Sequence, residues 1–162
     1  MSIIKKCNND CCSYEIKNYT KTDFTPKSKK KSGVFIFDKE HNKVLLVQSR
    51  GNLWGCPKGS VEPSESIKSC ALREVLEETG ITLNETDISS NHQFIYGDSY
   101  YYYLEKNEIP VTLDTPMIGN DATGIGWFNV DCLINLVQTN EITINFHCKL
   151  LLEFYLKKKF SQ

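Results

Sequence analysis

The segment GSVEPSESIKSCALREVLEETGI, residues 59–81, decides the reading of this chain. It holds five carboxylates, a single arginine and two glycines, and the acids are grouped rather than scattered. Ser64 is a candidate N-cap, since its hydroxyl can accept from an amide of the first helical turn, and Gly80 suits the left-handed position just past a helix end. Between them the spacing predicts a helix of about four turns. At about 100° per residue, Ala71, Leu72, Val75 and Leu76 share one arc, while Glu74, Glu77 and Glu78 share another. One face is expected to enter a core and the other to present three carboxylates together.

Carboxylates three and four residues apart on a helix repel one another by roughly 0.2–0.5 kcal/mol per pair. The arrangement therefore calls for a cation, and hard divalent ions with oxygen ligands, Mg²⁺ or Mn²⁺, are the natural counter-charge. A plain solvated acidic face is the competing reading of the acids alone.

The flanking residues favour the cation. Gly59, Glu65, Arg73, Glu74, Val75, Glu77, Glu78, Gly80 and Ile81 occupy nine specified positions over 23 residues. In that spacing the segment resembles the complete signature of the Nudix hydrolases. The resemblance implies an α/β fold, a mixed β-sheet sandwiched between helices, and a loop–helix–loop that holds divalent cations against a diphosphate. It also implies that Glu74, Glu77 and Glu78 bind metal, helped by the carbonyl of Lys58, and that Glu65 and Arg73 form a structural ion pair shaping the loop.

The 162 residues suit one domain, and an apolar content of 40% with 24% charged residues is ordinary for a soluble globular chain. Residues 1–31 read as a polar, basic N-terminal extension, with PKSKKKS at its end, and residues 32–162 as the Nudix hydrolase domain. A formal net charge of −1 argues against coating nucleic acid by bulk charge. No apolar run approaches the roughly 18–20 residues that cross a bilayer, and the N-terminus lacks the apolar core of a signal peptide, so a cytoplasmic location without a membrane partner is expected. Nothing in the sequence points to a protein partner. The seven cysteines are odd in number and irregularly spaced, and read as reduced thiols. Cys7, Cys11 and Cys12 offer three zinc ligands, with no nearby histidine or paired CxxC to complete a site.

Residues 33–37 and 43–48 are β-branched and aromatic runs that read as a hairpin covered on both faces. Residues 49–58 then lead into the acidic segment, and Arg50 and Lys58 flank a site that must hold polyanions. Strands are expected at 92–96 and 100–105, with Tyr100 and Tyr102 on one face and Tyr101 and Tyr103 on the other. Residues 107–124 read as a long loop, 125–130 as a last strand, and 132–137 as a short helix capped by Asp131. Residues 142–160 carry helix-compatible apolar positions and end in Lys157, Lys158 and Lys159, which suit a last helical turn. His41, His92 and His147 have no partner pattern and read as structural or solvated.

Outside the acidic segment, residues 44–48, 54–59 and 125–131 and a lysine-bearing C-terminal helix resemble the catalytic domain of mRNA-decapping Nudix enzymes. That resemblance covers roughly residues 33–160 and implies a capped RNA substrate. Two departures stand out. The outer acid of that group becomes Asp121, and the inner one is replaced by Gly126. The helical domain that precedes the catalytic domain in those enzymes has no counterpart in these 162 residues.

The expected chemistry is Mg²⁺- or Mn²⁺-assisted hydrolysis of a pyrophosphate link. Glu78, Glu77 and Asp121 are the catalytic candidates, with Glu78 or Asp121 taking the proton of the attacking water. Lys58 and Arg50 would contact the diphosphate, and Lys157, Lys158 and Lys159 a trailing RNA. The alternative is a Nudix pyrophosphatase of free dinucleoside polyphosphates, nucleotide sugars or inositol pyrophosphates. A non-catalytic nucleotide-binding module is disfavoured by retention of Glu65, Glu74, Glu77 and Glu78.

Overall fold

The computed structural model describes residues 1–18, 30–49, 52–114 and 121–160. In chain order its elements are β1 (Ser2–Lys6), β2 (Ser13–Lys17), β3 (Lys31–Asp38), β4 (Lys43–Ser49), β5 (Leu53–Gly55), β6 (Lys58–Ser60), α1 (Ile67–Thr79), β7 (Gln93–Tyr96), β8 (Ser99–Glu105), β9 (Gly124–Asn129), α2 (Val130–Gln138), β10 (Thr143–Ile144) and α3 (Phe146–Leu156). The main sheet runs β1-β2-β9-β4-β3-β8-β7, and it is mixed because β3 and β8 are parallel. Alternate residues feed two cores. Val34, Ile36, Leu45, Val47, Ile125 and Trp127 pack with Ala71 and Val75 of α1. Phe35, Phe37, Val44, Leu46 and Phe128 pack with Leu133, Leu136, Leu151 and Leu152 of α2 and α3. The strands are buried on both faces, which is why their sequences are almost continuously apolar, and the architecture is the expected α/β/α sandwich.

β3 and β4 form the predicted hairpin but pair only at Phe37↔Val44 and Asp38↔Lys43. Beyond that they splay apart. β4 takes β5 as its partner at Val47–Ser49, and β3 takes β6, with Ser32 opposite Gly59 and Gly33 opposite Lys58. Residues 53–60 thus enter the sheet and carry Lys58 and Gly59 over α1. These two short strands were not visible in the sequence, because three residues are too few to show a period.

Four local readings are corrected. The cap of α1 is Ser66, whose side chain accepts from the Ser69 amide, whereas Ser64 has a left-handed backbone at φ 64°. The cap of α2 is Asn129, not Asp131, which lies in the first helical turn. Residues 142–160 are not one helix: Ile142 and Ile144 point into the core, β10 pairs with β5, and Asn145 starts α3 by accepting from the Cys148 amide at 2.8 Å. That helix stops at Leu156, and Lys157 is its left-handed cap, so the three lysines follow the helix rather than occupying its last turn. Residues 1–18, read as polar extension, supply β1 and β2, and β2 pairs with β9 through Tyr14↔Gly126. β1 is exposed along its whole length, which left no apolar pattern to read. No helix among the described residues is long and apolar enough to cross a membrane.

The β3–β4 turn is pinned by Asp38. Its buried carboxylate accepts from the His41 ring and amide and from the Glu108 amide at 2.8–3.0 Å. Burial pushes Asp38 up, but the Glu108 and His41 donors outweigh it and hold it below its ordinary 3.8. His41 is raised above 6.5 by its hydrogen bond to Asp38. The Asp38 contribution to stability is complete above its ordinary value and lost as pH falls through the lowered one. The His41 contribution is complete below 6.5 and lost as pH rises through its raised value. Asp38→Asn should cost about 1–3 kcal/mol. Urea unfolding of both proteins at about pH 5 and about pH 9 should show the larger gap at the lower pH.

Candidate active site

The site is built on α1 and the inserted β6. Ala71 and Val75 are completely buried, which fixes the roll of the helix and turns Glu74 and Glu78 toward β6. Gly80 closes the helix at φ 75°, its amide donating to the Leu76 carbonyl. The acids are not a solvated face. Glu78 is only 3% exposed and accepts from the Lys58 amide at 3.0 Å. At Gly59 a Cβ would overlap the Glu74 carboxylate, so glycine lets the β6 backbone lie directly against that acid.

Arg73 organises the remainder. Its Nε and Nη2 hold the two oxygens of Glu65 at 2.7 and 3.0 Å, and Nη2 also donates to the Ser60 carbonyl. Nη1 reaches Glu74 at 2.7 Å and Glu77 at 3.1 Å. One guanidinium therefore joins the loop, through Glu65, to two of the helix acids. Arg73 holds Glu65 below the usual carboxylate range, although burial opposes it. Glu65 first, and then Glu74, in turn keep Arg73 firmly protonated.

Burial pushes Glu74 up against the pull of Arg73, with Glu77 and Asp121 adding repulsion. Glu78 is pushed well up, first by burial and then by Glu74 and Asp121, with Lys58 opposing. Asp121, the sequence candidate that precedes β9, is near enough to Glu74 and Glu78 to repel both. Oxygen donors that are buried, mutually repelling and without sulfur or imidazole among them fit a hard divalent cation.

Other candidates fall elsewhere. Arg50 lies outside the described residues. Lys58 stays at the site, its amide on Glu78, and its positive charge acts to lower both the Glu78 carboxyl and His147, the second residue of α3. Lys157, Lys158 and Lys159 are at the opposite end of α3, about 15 Å further along its axis. There Lys157 sits over the Phe154 ring at 5.1 Å and Lys158 faces Asp131 at 3.6 Å. Gly126 is on the sheet face away from α1, and a Cβ there would collide with Tyr14 of β2. An acid at this position is therefore incompatible with the close β2–β9 pairing.

The sequence reading missed the aromatic rim beside Lys58. The Tyr101 hydroxyl meets His147 Nδ1 at 2.6 Å, and the ring of Tyr96 lies edge-on to both Phe146 and His147, with centroids 5.7 and 5.3 Å away. Tyr96 and Phe146 are about half exposed. Of the four consecutive tyrosines, Tyr101 and Tyr102 are buried and Tyr103 stacks on Tyr155, so they serve packing. Only the folding of α3 beside β7 brings Tyr96 and Phe146 together, and no spacing signalled it.

Comparison with known proteins gives the family. A protein of Invertebrate iridescent virus 3 named as a hydrolase (111R) is 38% identical over 156 residues, which cover 88% of each chain. The m7GpppN-mRNA hydrolase of Saccharomyces cerevisiae is 33% identical over 102 residues, 60% of this chain but 10% of that protein. Among solved structures, a MutT/nudix family protein from Enterococcus faecalis superposes with a TM-score of 0.51 at 28% identity, over 68% of this chain and 47% of that one. The NUDIX domain model matches residues 27–147, spanning the acids, Lys58 and Asp121 alike. The chain belongs to the NUDIX domain family, hydrolases of nucleoside diphosphates linked to another moiety.

Proposed function

We propose that this protein hydrolyses the 5′ cap of RNA, releasing 7-methylguanosine diphosphate and RNA with a 5′-monophosphate. The observation that carries the reading is Lys58 within Pro57-Lys58-Gly59: β6 sets its amide on Glu78 at 3.0 Å, and its positive charge acts on both Glu78 and His147, the histidine of the half-exposed aromatic rim. The similarity to the yeast m7GpppN-mRNA hydrolase, over 60% of this chain, supports the reading, although the chain spans only a tenth of that enzyme's length.

Nudix hydrolases generally need a divalent metal such as Mg²⁺ or Mn²⁺. Glu74, Glu77 and Glu78, with the Lys58 carbonyl, would hold it, and when bound it supplies positive charge at the phosphate oxygens. The chain's own groups do the rest. Water attacks phosphorus, the bridging P–O bond breaks, and Glu78 or Asp121 takes the proton of the water. Lys58 stabilises the charge that develops on the departing diphosphate. Tyr96 and Phe146, each about half exposed, offer ring faces on which a base can stack, and Lys157 to Lys159 a path for the trailing RNA.

Turnover on cap-labelled RNA, measured beside free cap dinucleotide, diadenosine polyphosphates and an inositol pyrophosphate, tests the proposal. RNA is expected to exceed the free dinucleotide by at least about tenfold, and Lys157 to Lys159 changed to alanine should flatten the salt dependence of RNA binding. Preference for a free small molecule would discard the RNA substrate and leave the pyrophosphatase chemistry standing.

A further inference from the structure

The loop joining β1 to β2 carries three cysteines, and the fold completes them with a fourth. β2 pairs with β9, and α2 begins directly after β9. The loop at the start of β2 therefore lies over the first turn of α2, where Cys132 is the third residue. The sulfurs of Cys7, Cys11, Cys12 and Cys132 all lie within 4.8 Å of one another, with Cys7 and Cys11 at 3.4 Å. All four are free thiols, and all but Cys11 are buried. We propose that these four cysteines bind one structural zinc ion, clamping the N-terminal hairpin to α2.

The dimensions suit this ion. A tetrahedral ZnS₄ centre with bonds of about 2.3 Å has sulfurs about 3.8 Å apart, inside the range found here. Ordinary packing does not explain a convergence of four thiols from two separate parts of the chain. The loop is also preorganised around its sulfurs. The Cys7 amide donates to the Cys12 carbonyl, the Asp10 amide to the Cys7 carbonyl, and Asp10 takes a left-handed φ of 58°. The Cys12 amide in turn faces the Cys7 sulfur and the Asn129 amide the Cys12 sulfur, the donors that stabilise bound thiolates. Cys132 lies in the first turn of α2, which fixes its sulfur against the loop.

The hairpin has a need for such a clamp. Side-chain burial holds it to the sheet edge only weakly, since β1 is wholly exposed and Tyr14 is the single buried residue of β2. Four closed sulfur positions leave no site for substrate, so the ion is structural rather than catalytic. The acids on α1 are a separate oxygen-donor site for a harder ion.

The test uses the untagged full chain, produced with zinc and reductant and assayed for metal and for its zinc-edge X-ray absorption. About one zinc per chain is expected, with four sulfur neighbours at about 2.3 Å. Zinc should fall at least tenfold in Cys132→Ser and stay bound in Glu78→Gln. Stripping it from the wild type should lower Tm by about 5–10 °C. A shell of nitrogen or oxygen, iron in the cage, or disulfides among the four cysteines would each overturn the assignment. If Cys132→Ser does not fold, cobalt uptake by the stripped wild type decides. Absorption typical of tetrahedral thiolate coordination supports the site, and its absence refutes it.

Discussion

Glu78→Gln is expected to lower kcat by roughly 10²–10⁴-fold while raising the stability of the metal-free protein. The amide is isosteric, and its oxygen can still accept from the Lys58 amide that now bonds to Glu78 at 3.0 Å. What disappears is a buried charge. Burial, Glu74 and Asp121 together hold this carboxyl well above its ordinary 4.5. A carboxyl raised on folding binds a proton more tightly in the native state, so its penalty grows as pH rises from the ordinary value through the folded one. At about pH 7 the variant should therefore melt above the wild type in the presence of a chelator. Mg²⁺ or Mn²⁺ should reverse that order, because only the wild type gains binding energy at the full set of acids. Thermal melts with chelator and with Mn²⁺, beside turnover, check both halves. Undiminished activity would remove Glu78 from the chemistry, and a lower metal-free Tm would show that its charge serves the fold.

Arg73→Ala should be the most damaging single change to the stability of the acidic loop, costing about 3 kcal/mol. Its guanidinium makes a two-point contact with Glu65, binds Glu74 and Glu77, and ties the loop to the helix through the Ser60 carbonyl. Truncation leaves three acids facing one another with less than a fifth of each side chain exposed. The side chain of Arg73 is itself 24% exposed, which keeps the cost at the lower end of the range for breaking a buried pair. A Tm drop of about 6–12 °C is expected for a chain of this size. Arg73→Lys keeps the charge but cannot reach Glu65 with two parallel bonds and also span to Glu74 and Glu77, so it should recover only part of the loss. Full recovery by lysine would mean that charge alone, without the planar fork, organises the loop.

Much of this was legible locally. The core arc and acid arc of α1, its stop at Gly80, the hairpin of β3 and β4 and the alternation of the four tyrosines follow from periods of 3.6 and 2 that any reader can count. Caps were less secure, since Ser64 and Ser66 offer the same hydroxyl, and only the left-handed turn at Ser64 decides between them. The lysines at 157–159 illustrate another limit. Their charge suited a helix end, but the helix begins at Asn145 and stops before them, away from the acids.

The sequence by itself determined the family, the buried strands and the three-acid helix, because each rests on residues spaced within one element. The tertiary structure decided which acid is buried and what holds it, because Lys58 reaches Glu78 only after β3 and β4 splay and β6 enters the gap. It likewise decided why position 126 is glycine and where the fourth cysteine comes from. Tyr14 meets Gly126, and Cys132 meets Cys7, through the pairing of β2 with β9, and contacts across more than a hundred residues leave no local pattern to read.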